Sequence, residues 1–184
     1  TEAHLPQHLS QYDIDRLNAG QHDAPFDKLG CHDVDGTRWL VACVPDVSEL
    51  FARVGRKQID LTRLGGAVFA AQVPSGNVTF TATDNNGHRW SFADPFGFGP
   101  VLMDVDAYLI GEGTHKRLWE ALGAHVTSHE GTKGTHFAVW APNARAVSVV
   151  GSFNNWHPAR APMRRVGQTG VWEIFLPEVG EGDP

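Results

Sequence analysis

The chain has 184 residues, of which 41% are hydrophobic, and its 15 basic and 21 acidic residues give a net charge of −6. No basic patch is visible, which argues against nucleic acid as a partner because phosphate binding needs clustered lysine and arginine. No apolar run approaches the ~20 residues that a membrane span needs, and the N-terminus lacks the pattern of a secretory signal. With only two cysteines and no CxxC pair, the sequence favours a cytoplasmic protein.

The elements predicted along the chain are mainly strands. Ser10 and Asp13 predict the cap of a short helix that ends near Asn18 to Gly20. Beyond it, short runs rich in Val, Phe, Thr and Trp alternate with Gly and Pro, which is typical of an all-β sandwich. The predicted strands are Arg38–Val44, Ala67–Val73, Val78–Asp84, His88–Phe92, Thr135–Trp140, Ala146–Gly151 and Val171–Leu176.

A second helix is predicted from Thr114 to Gly123, with Thr114 as its cap and Gly123 as its left-handed end. This helix lies at the border between two β-rich segments. The predicted domains are an N-terminal helical lead-in (1–20), a first β-sandwich module (21–105), a linker helix (106–125) and a second β-sandwich module (126–184).

An internal repeat supports two modules. A proline corner follows a strand at Pro45 and again at Pro142, 97 residues later. A glycine turn and a strand then lead to Pro74 in the first half and, 103 residues on, to Pro177 in the second. The order of features is the same in both halves, so the sequence predicts tandem copies of one sandwich.

The two copies differ after the last proline. Two more predicted strands follow Pro74, whereas seven residues follow Pro177. A sandwich without its edge strands would expose unpaired backbone groups. We therefore expect the second module to be incomplete and the chain to be a fragment; the alternative is that the two modules differ in length.

Histidines and carboxylates are the residue types in this sequence that could bind a metal ion or act in catalysis. His125 and His129 are four residues apart with His136 nearby, but a Gly-rich segment does not hold them as a zinc-binding helix would. Asp33 to Gly36 begins like a calcium loop but lacks the glutamate at the twelfth position, which favours a turn. We expect no metal site here.

The carboxylates of the predicted linker are Asp104, Asp106 and Glu112. Their proximity alone makes them candidates for glycoside chemistry, and a solvated role is favoured because linkers run on the surface. No nucleophile elbow or phosphate-binding glycine loop occurs. The sequence predicts no catalytic residue and no cofactor in this chain.

The most informative segment runs from Ala138 to Val179. Within it Phe153 can fill the core beneath a turn, Asn154 and Asn155 follow, and Trp156 projects beside the two amides. An indole packs on the apolar face of a pyranose, and amides pair with its hydroxyls. Trp156, Asn154 and Asn155 are thus a candidate carbohydrate-binding site; the alternative is that they only hold the turn together.

These stretches resemble carbohydrate-binding module family 48, which precedes the barrel in many α-glucan enzymes of glycoside hydrolase family 13. The matching residues are Phe137 to Asn143 (FAVWAPN), Gly151 to Trp156 (GSFNNW), Pro162-Met163 and Gly170 to Trp172 (GVW). Other stretches resemble the bacterial 1,4-α-glucan branching enzymes of that family. They are Gly20 to His32 (GQHDAPFDKLGCH), Asp94 to Leu102 (DPFGFGPVL) and Asp106 to His125.

The resemblance implies two immunoglobulin-like modules in front of a barrel that carries the catalytic Asp and Glu. It also implies a reaction that cleaves an α-1,4 linkage and re-attaches the segment through an α-1,6 bond, by a retaining double displacement. The implied partners are an α-glucan, stacked on Trp156, and the barrel of the same protein. Two alternatives remain open: a free-standing glycogen-binding module, and the N-terminal part of a trehalose-forming or debranching relative.

Overall fold

A computed structural model describes residues 6–102, 104–114 and 116–184, without the side chains of residues 104 and 105. The first five residues of the predicted lead-in therefore lie outside the described residues. The chain divides into two compact units, Thr1–Gly97 and Phe98–Pro184. The finer predicted division at 1–20, 21–105, 106–125 and 126–184 stays a prediction. No helix in the described part of the chain is long and apolar enough to cross a membrane.

The first unit opens with the helix α1, Gln11–Asn18. The Ser10 hydroxyl accepts a hydrogen bond from the Asp13 backbone N–H (3.2 Å), and the Asp13 carboxylate accepts one from the Ser10 N–H (2.8 Å). This reciprocal cap satisfies two donors that a helix end leaves free, and it confirms the predicted helix start. Ile14 and Leu17 are buried beneath α1, where a Cβ added at Gly65 would lie 3.1 Å from Ile14.

Eight strands follow α1 and form two antiparallel four-stranded sheets, ordered β1-β2-β6-β5 and β4-β3-β7-β8. One cluster of buried residues, including Leu40, Leu50, Phe69 and Phe80, draws on both sheets and is the core of a β-sandwich. The strands are β1 Gly30–Val34, β2 Thr37–Cys43, β3 Val47–Val54, β4 Lys57–Asp60, β5 Thr62–Gly65, β6 Val68–Gln72, β7 Val78–Asp84 and β8 Arg89–Ala93.

The second unit contains two short helices and one four-stranded antiparallel sheet, ordered β11-β12-β10-β9. One face of this sheet shares a buried cluster with Leu102, which precedes the first of these helices, and Ala121, at the end of the second. Toward the other face, the Phe153 ring lies 6.5 Å from that of Phe137. The elements are α2 Asp104–Gly111, α3 Leu118–Ala121, β9 Gly123–His129, β10 Thr132–Trp140, β11 Arg164–Arg165 and β12 Val171–Pro177.

The all-β fold class, with immunoglobulin-like sandwich modules, is confirmed, but two predicted elements are wrong. The predicted strand Ala146–Gly151 is reduced to one isolated bridge, Ser148 with Pro162. The helix predicted from Thr114 to Gly123 shrinks to α3. Thr114 donates to the Leu109 carbonyl at the end of α2, and Gly123 begins β9. Pairing of β9 with β10 places Gly123 in a strand, opposite Ala138, instead of at a helix end.

Candidate functional site

The candidate site of the second unit is a tight turn, Gly151 to Trp156, built on the single 3₁₀ turn Ser152–Asn154. Asn154 is only 5% exposed. Its side-chain oxygen accepts the Gly151 N–H (2.9 Å), and its amide nitrogen donates to the Val149 carbonyl (2.8 Å). Both ends of this amide therefore hold the turn, so Asn154 positions the site and is not free to contact a ligand.

Gly151 is required by a close approach rather than by its backbone angles. A Cβ at this position would lie 2.3 Å from a ring carbon of Phe153, far inside van der Waals contact. The missing side chain lets the Phe153 ring tuck under the turn, toward Phe137 on β10. The turn is thus held by the contact between the Phe153 and Phe137 rings and by the hydrogen bonds of Asn154.

Asn155 and Trp156 both adopt left-handed backbone conformations, with φ of 53° and 57°. Such conformations cost roughly 1–3 kcal/mol for non-glycine residues and persist only where the surroundings hold them. Here the Trp156 N–H donates to the Gly151 carbonyl (2.9 Å) and closes the turn. The result is an indole that is 61% exposed on a fixed backbone.

The structure places two of the three predicted site residues next to each other at the surface. Trp156 and the exposed Asn155 lie side by side, and the Asn155 side chain makes no hydrogen bond among the described residues. Neither group is charged. An exposed aromatic plane beside a free amide suits a neutral ligand with one apolar face and several hydroxyls.

The histidines considered as metal ligands in the sequence form hydrogen bonds within the second unit instead. His125 bonds the Leu122 carbonyl (2.8 Å) and His129 bonds the Gly99 carbonyl (2.9 Å). His136 is buried against Glu173, with 2.8 Å between its Nε2 and a carboxylate oxygen. Within the described ranges, no group of three or more His, Cys, Asp or Glu residues is placed to hold a metal ion.

The carboxylate candidates lie on or next to α2. The Asp104 side chain is outside the described residues, Asp106 is half-buried and Glu112 is exposed. Asp33 and Asp35 lie at the β1–β2 hairpin, where Asp35 and Gly36 have φ of 49° and 76°. These paired positive φ values are typical of a tight hairpin turn, which confirms the turn predicted there.

Sequence reasoning missed a buried polar cluster around Glu173. This residue is 1% exposed and accepts hydrogen bonds from His136 and from the Leu102 N–H (3.0 Å). Arg164, nearby, donates to the Phe98 carbonyl, and burial lowers the pKa of its guanidinium. The available signal was a single Glu within the apolar run of β12. The cluster ties residues 98–102 to the sheet of their own unit.

Comparison with protein-family models matches both units. Residues 121–183 match carbohydrate-binding module 48, described as the isoamylase N-terminal domain. Residues 10–96 match the N-terminal domain of the alpha-1,4-glucan branching enzyme GlgB. The part of the second unit that matches the carbohydrate-binding module includes the turn with the exposed Trp156 indole.

Curated relatives narrow this class. The chain is 46% identical over 182 residues to a 1,4-alpha-glucan branching enzyme GlgB of Roseobacter denitrificans, covering 95% of this chain and 25% of the relative. It is 47% identical to that of Novosphingobium aromaticivorans (91% and 24%) and 43% identical to GlgB 1 of Streptomyces coelicolor (93% and 22%). The chain is thus similar to part of the 1,4-alpha-glucan branching enzymes, including their N-terminal domain, and it spans about a quarter of these relatives' length.

Proposed function

We propose that this chain is the non-catalytic N-terminal region of a 1,4-α-glucan branching enzyme, which forms α-1,6 branches in glycogen by transferring α-1,4-glucan segments. The observation that carries the proposal is the matching order of two domains. A branching-enzyme N-terminal domain covers residues 10–96 and a carbohydrate-binding module covers residues 121–183. Its partners would be an α-glucan and the catalytic barrel of the same protein; no nucleic acid or membrane partner is proposed.

Within this role, the turn from Gly151 to Trp156 docks glucan. The Trp156 indole stacks on the apolar face of one glucose ring, and the Asn155 amide pairs with hydroxyls at its edge. Asn154 acts indirectly: its hydrogen bonds hold the backbone from which Trp156 and Asn155 project. Because the turn is braced before any ligand arrives, little side-chain or backbone order has to be gained on binding.

The same arrangement sets the expected strength. One aromatic stack contributes ~0.5–1.5 kcal/mol beyond the area it buries, so a single Trp gives weak binding to one glucose unit. Glycogen presents many chain ends and segments, so several modules can engage one particle and raise the apparent affinity. The module would then retain glucan near the enzyme and leave selectivity to the catalytic domain.

Affinity electrophoresis in glycogen-containing gels tests the site. Trp156→Ala should weaken retardation by roughly 2- to 12-fold in apparent dissociation constant, the equivalent of the stacking energy. Trp119→Ala, which removes a similarly exposed indole (68%) from the same unit, should have no effect. Asn154→Ala should weaken binding through the loosened turn. If Trp156→Ala binds like the wild type, the proposed site is wrong.

An iodine-staining branching assay tests the non-catalytic role. The chain alone should leave the absorbance of an amylose–iodine complex unchanged, and measurable branching by it would contradict the proposal. The curated relatives reported above are branching enzymes, so they favour neither a free-standing module nor a trehalose-forming or debranching relative. A cytoplasmic location is supported by Cys31 and Cys43, which form no disulfide among the described residues.

A further inference from the structure

The segment in front of α1, residues 6–9, is packed on the first unit by two apolar residues. Pro6 is less than 2% exposed and Leu9 is 4% exposed. The Leu9 N–H donates to the Pro6 carbonyl (2.9 Å) and closes a turn that contains His8. The His8 side chain is therefore held in place by a buried residue on either side of it.

The His8 ring is buried without a hydrogen bond. Neither of its two nitrogens has a partner among the described residues, and both are shielded from solvent. The ring packs on that of His32 in β1, with 5.2 Å between the ring centroids. A neutral imidazole bears this at a modest cost, whereas an imidazolium would bury a charge and two N–H donors with no acceptor. The site therefore accepts the neutral ring and disfavours the charged one.

Two of the groups that face His8 are basic. The Lys28 ammonium donates to the His8 carbonyl (2.7 Å), so a second positive charge already lies beside this turn. The His32 imidazole donates through Nε2 to the Leu29 carbonyl (2.8 Å), which keeps its ring fixed against His8. A proton on His8 would be repelled by Lys28, and by His32 when that ring is charged.

The acid that faces His8 is Asp13, at the start of α1, and its oxygens are already engaged. Its Oδ1 accepts from His22 (2.9 Å), and its Oδ2 accepts from both the N–H (2.8 Å) and the hydroxyl (2.6 Å) of Ser10. Asp13 therefore attracts a charged His8 only at a distance. Burial, followed by the neighbouring His32, lowers the pKa of His8 from its ordinary value of 6.5.

We propose that His8 is the latch of an acid-released segment: residues 6–9 stay packed on the first unit while the His8 ring is neutral, and they detach when it takes up a proton. Detachment brings the imidazolium into water, which supplies the acceptors that the buried site lacks. The detached segment binds the proton more readily than the packed one, so packing weakens as the pH falls below about 6.5.

The helix behind the latch should stay in place. The cap of α1 joins Ser10 to Asp13, and its buried residues Ile14 and Leu17 lie further along the chain. None of these contacts involves His8. The proposal is therefore a local release of four residues, and it differs from acid unfolding of the first unit.

Amide hydrogen exchange of the full chain, followed by NMR, tests the latch. The Leu9 amide reports on packing because its bond to Pro6 exists only in the closed turn. Its protection factor should fall roughly tenfold from about pH 7 to about pH 5. The Ile14 amide, which donates to the Ser10 carbonyl within α1, should keep its protection. In the same sample the His8 ring protons should titrate below pH 6.5.

Three variants assign the effect to His8. His8→Phe keeps a buried ring and loses no hydrogen bond, so its Leu9 protection should be the same at both pH values. His8→Lys carries a charge at both, so its Leu9 protection should be low at both. His88→Phe, the matched control, removes an exposed imidazole from the same unit and should keep the pH dependence of the wild type.

Four results would overturn the proposal. They are a Leu9 protection factor that does not change with pH, a fall that persists in His8→Phe, a parallel loss of protection at Ile14, and a His8 ring that titrates at or above pH 6.5. The ring titration uses the wild-type chain, so it decides the matter even if a substitution at His8 prevents folding.

Discussion

The sheet of the second unit and one sheet of the first have the same order and connections. In β1-β2-β6-β5 and in β9-β10-β12-β11, a hairpin comes first, the chain leaves the sheet at a proline corner, and it returns by an edge strand beside the last strand. Each sheet also follows a helical segment, α1 or α2 and α3. The shared frame shows that the sequence repeat is a repeat of structure.

Each unit also contains one arginine that lies over an aromatic ring and bonds a backbone carbonyl; we call this arrangement the clamp. Arg63 lies over the Phe69 ring at 4.5 Å and donates to the Val47 carbonyl (2.7 Å). Arg165 lies over the Trp172 ring at 4.7 Å and donates to the Ala144 carbonyl (3.1 Å). In each unit a guanidinium fastens the proline corner to the aromatic residue of the returning strand. The proline and glycine spacing of the sequence did not reveal this device.

The two frames differ in what they bury. The strand position that holds Ala70 in the first unit holds Glu173 in the second, at the same distance from the closing proline. Glu173 is 1% exposed and pairs with His136, so the second unit contains a buried ionisable pair where the first has an apolar contact. One topology thus tolerates two different interiors, although the second carboxylate oxygen of Glu173 has no hydrogen-bond partner among the described residues.

The largest expected effect comes from removing the clamped aromatics. Phe69→Ala and Trp172→Ala each truncate a ring that is 1–2% exposed, and such changes cost about 3–5 kcal/mol. Each variant should lower the stability of its own unit only, as measured by amide exchange in urea. Tyr12→Ala and Trp119→Ala, which truncate rings 68% exposed, are the controls. Equal loss of protection in both units from either core variant would show that they do not unfold independently.

A smaller, pH-dependent effect should distinguish the first unit. Burial raises the pKa of Asp94 from 3.8 to about 7. Between these values the folded unit holds a proton that the unfolded chain has lost. Stability should therefore fall as the pH rises from about 4 to 7, by roughly 1 kcal/mol per unit. Urea denaturation at several pH values checks this slope, which Asp94→Asn should flatten.

Asp13 should not disturb that measurement. Burial alone would raise the pKa of Asp13, but hydrogen bonds from Ser10 and His22, with Lys28 nearby, hold it well below its ordinary value. Its stabilising contribution is complete above the ordinary aspartate pKa and is lost only at lower pH. Because burial also lowers the pKa of His8, that residue contributes a rise in stability with pH; only a fall in stability between pH 4 and 7 that persists in Asp94→Asn would contradict the assignment to Asp94.

Local patterns predicted those strands that have strong internal signals. β7 was predicted with its observed bounds, and β2, β6, β10 and β12 within a few residues, because β-branched and aromatic runs end at Gly or Pro. β3, β4 and β9 were missed since charged and polar residues interrupt them. Their partners across the sheet, not their own composition, make them strands.

The candidate site was predicted by residue type but not by role. The sequence identifies Trp156 and two amides, yet nothing local distinguishes Asn154 from Asn155. The turn decides between them: Asn154 is buried with both amide ends bonded, and Asn155 is exposed. The Glu173 pair depends on residues 37 positions apart, which no local pattern connects.

The smallest expected effect tests the clamp itself. Arg63→Met and Arg165→Met keep most of the side-chain volume and remove the guanidinium, which should cost about 1 kcal/mol each, because both sites are exposed to solvent. Arg→Lys at either position should recover little, since a lysine carries the charge without the planar fork. Urea denaturation of the single and double variants measures the loss of stability at each arginine.

If each clamp stabilises only its own unit, and by a similar amount, Arg63→Met and Arg165→Met should lower the free energy of unfolding equally. The two decreases should then add in the double variant. A loss at Arg63 with none at Arg165 would mean that only the first unit depends on its clamp, and the geometric repeat would then not extend to energetics. A double variant that loses more stability than the two single variants together would instead show that the units are energetically coupled. Each result changes how far the structural equivalence of the two frames can be used to infer stability in one from measurements on the other.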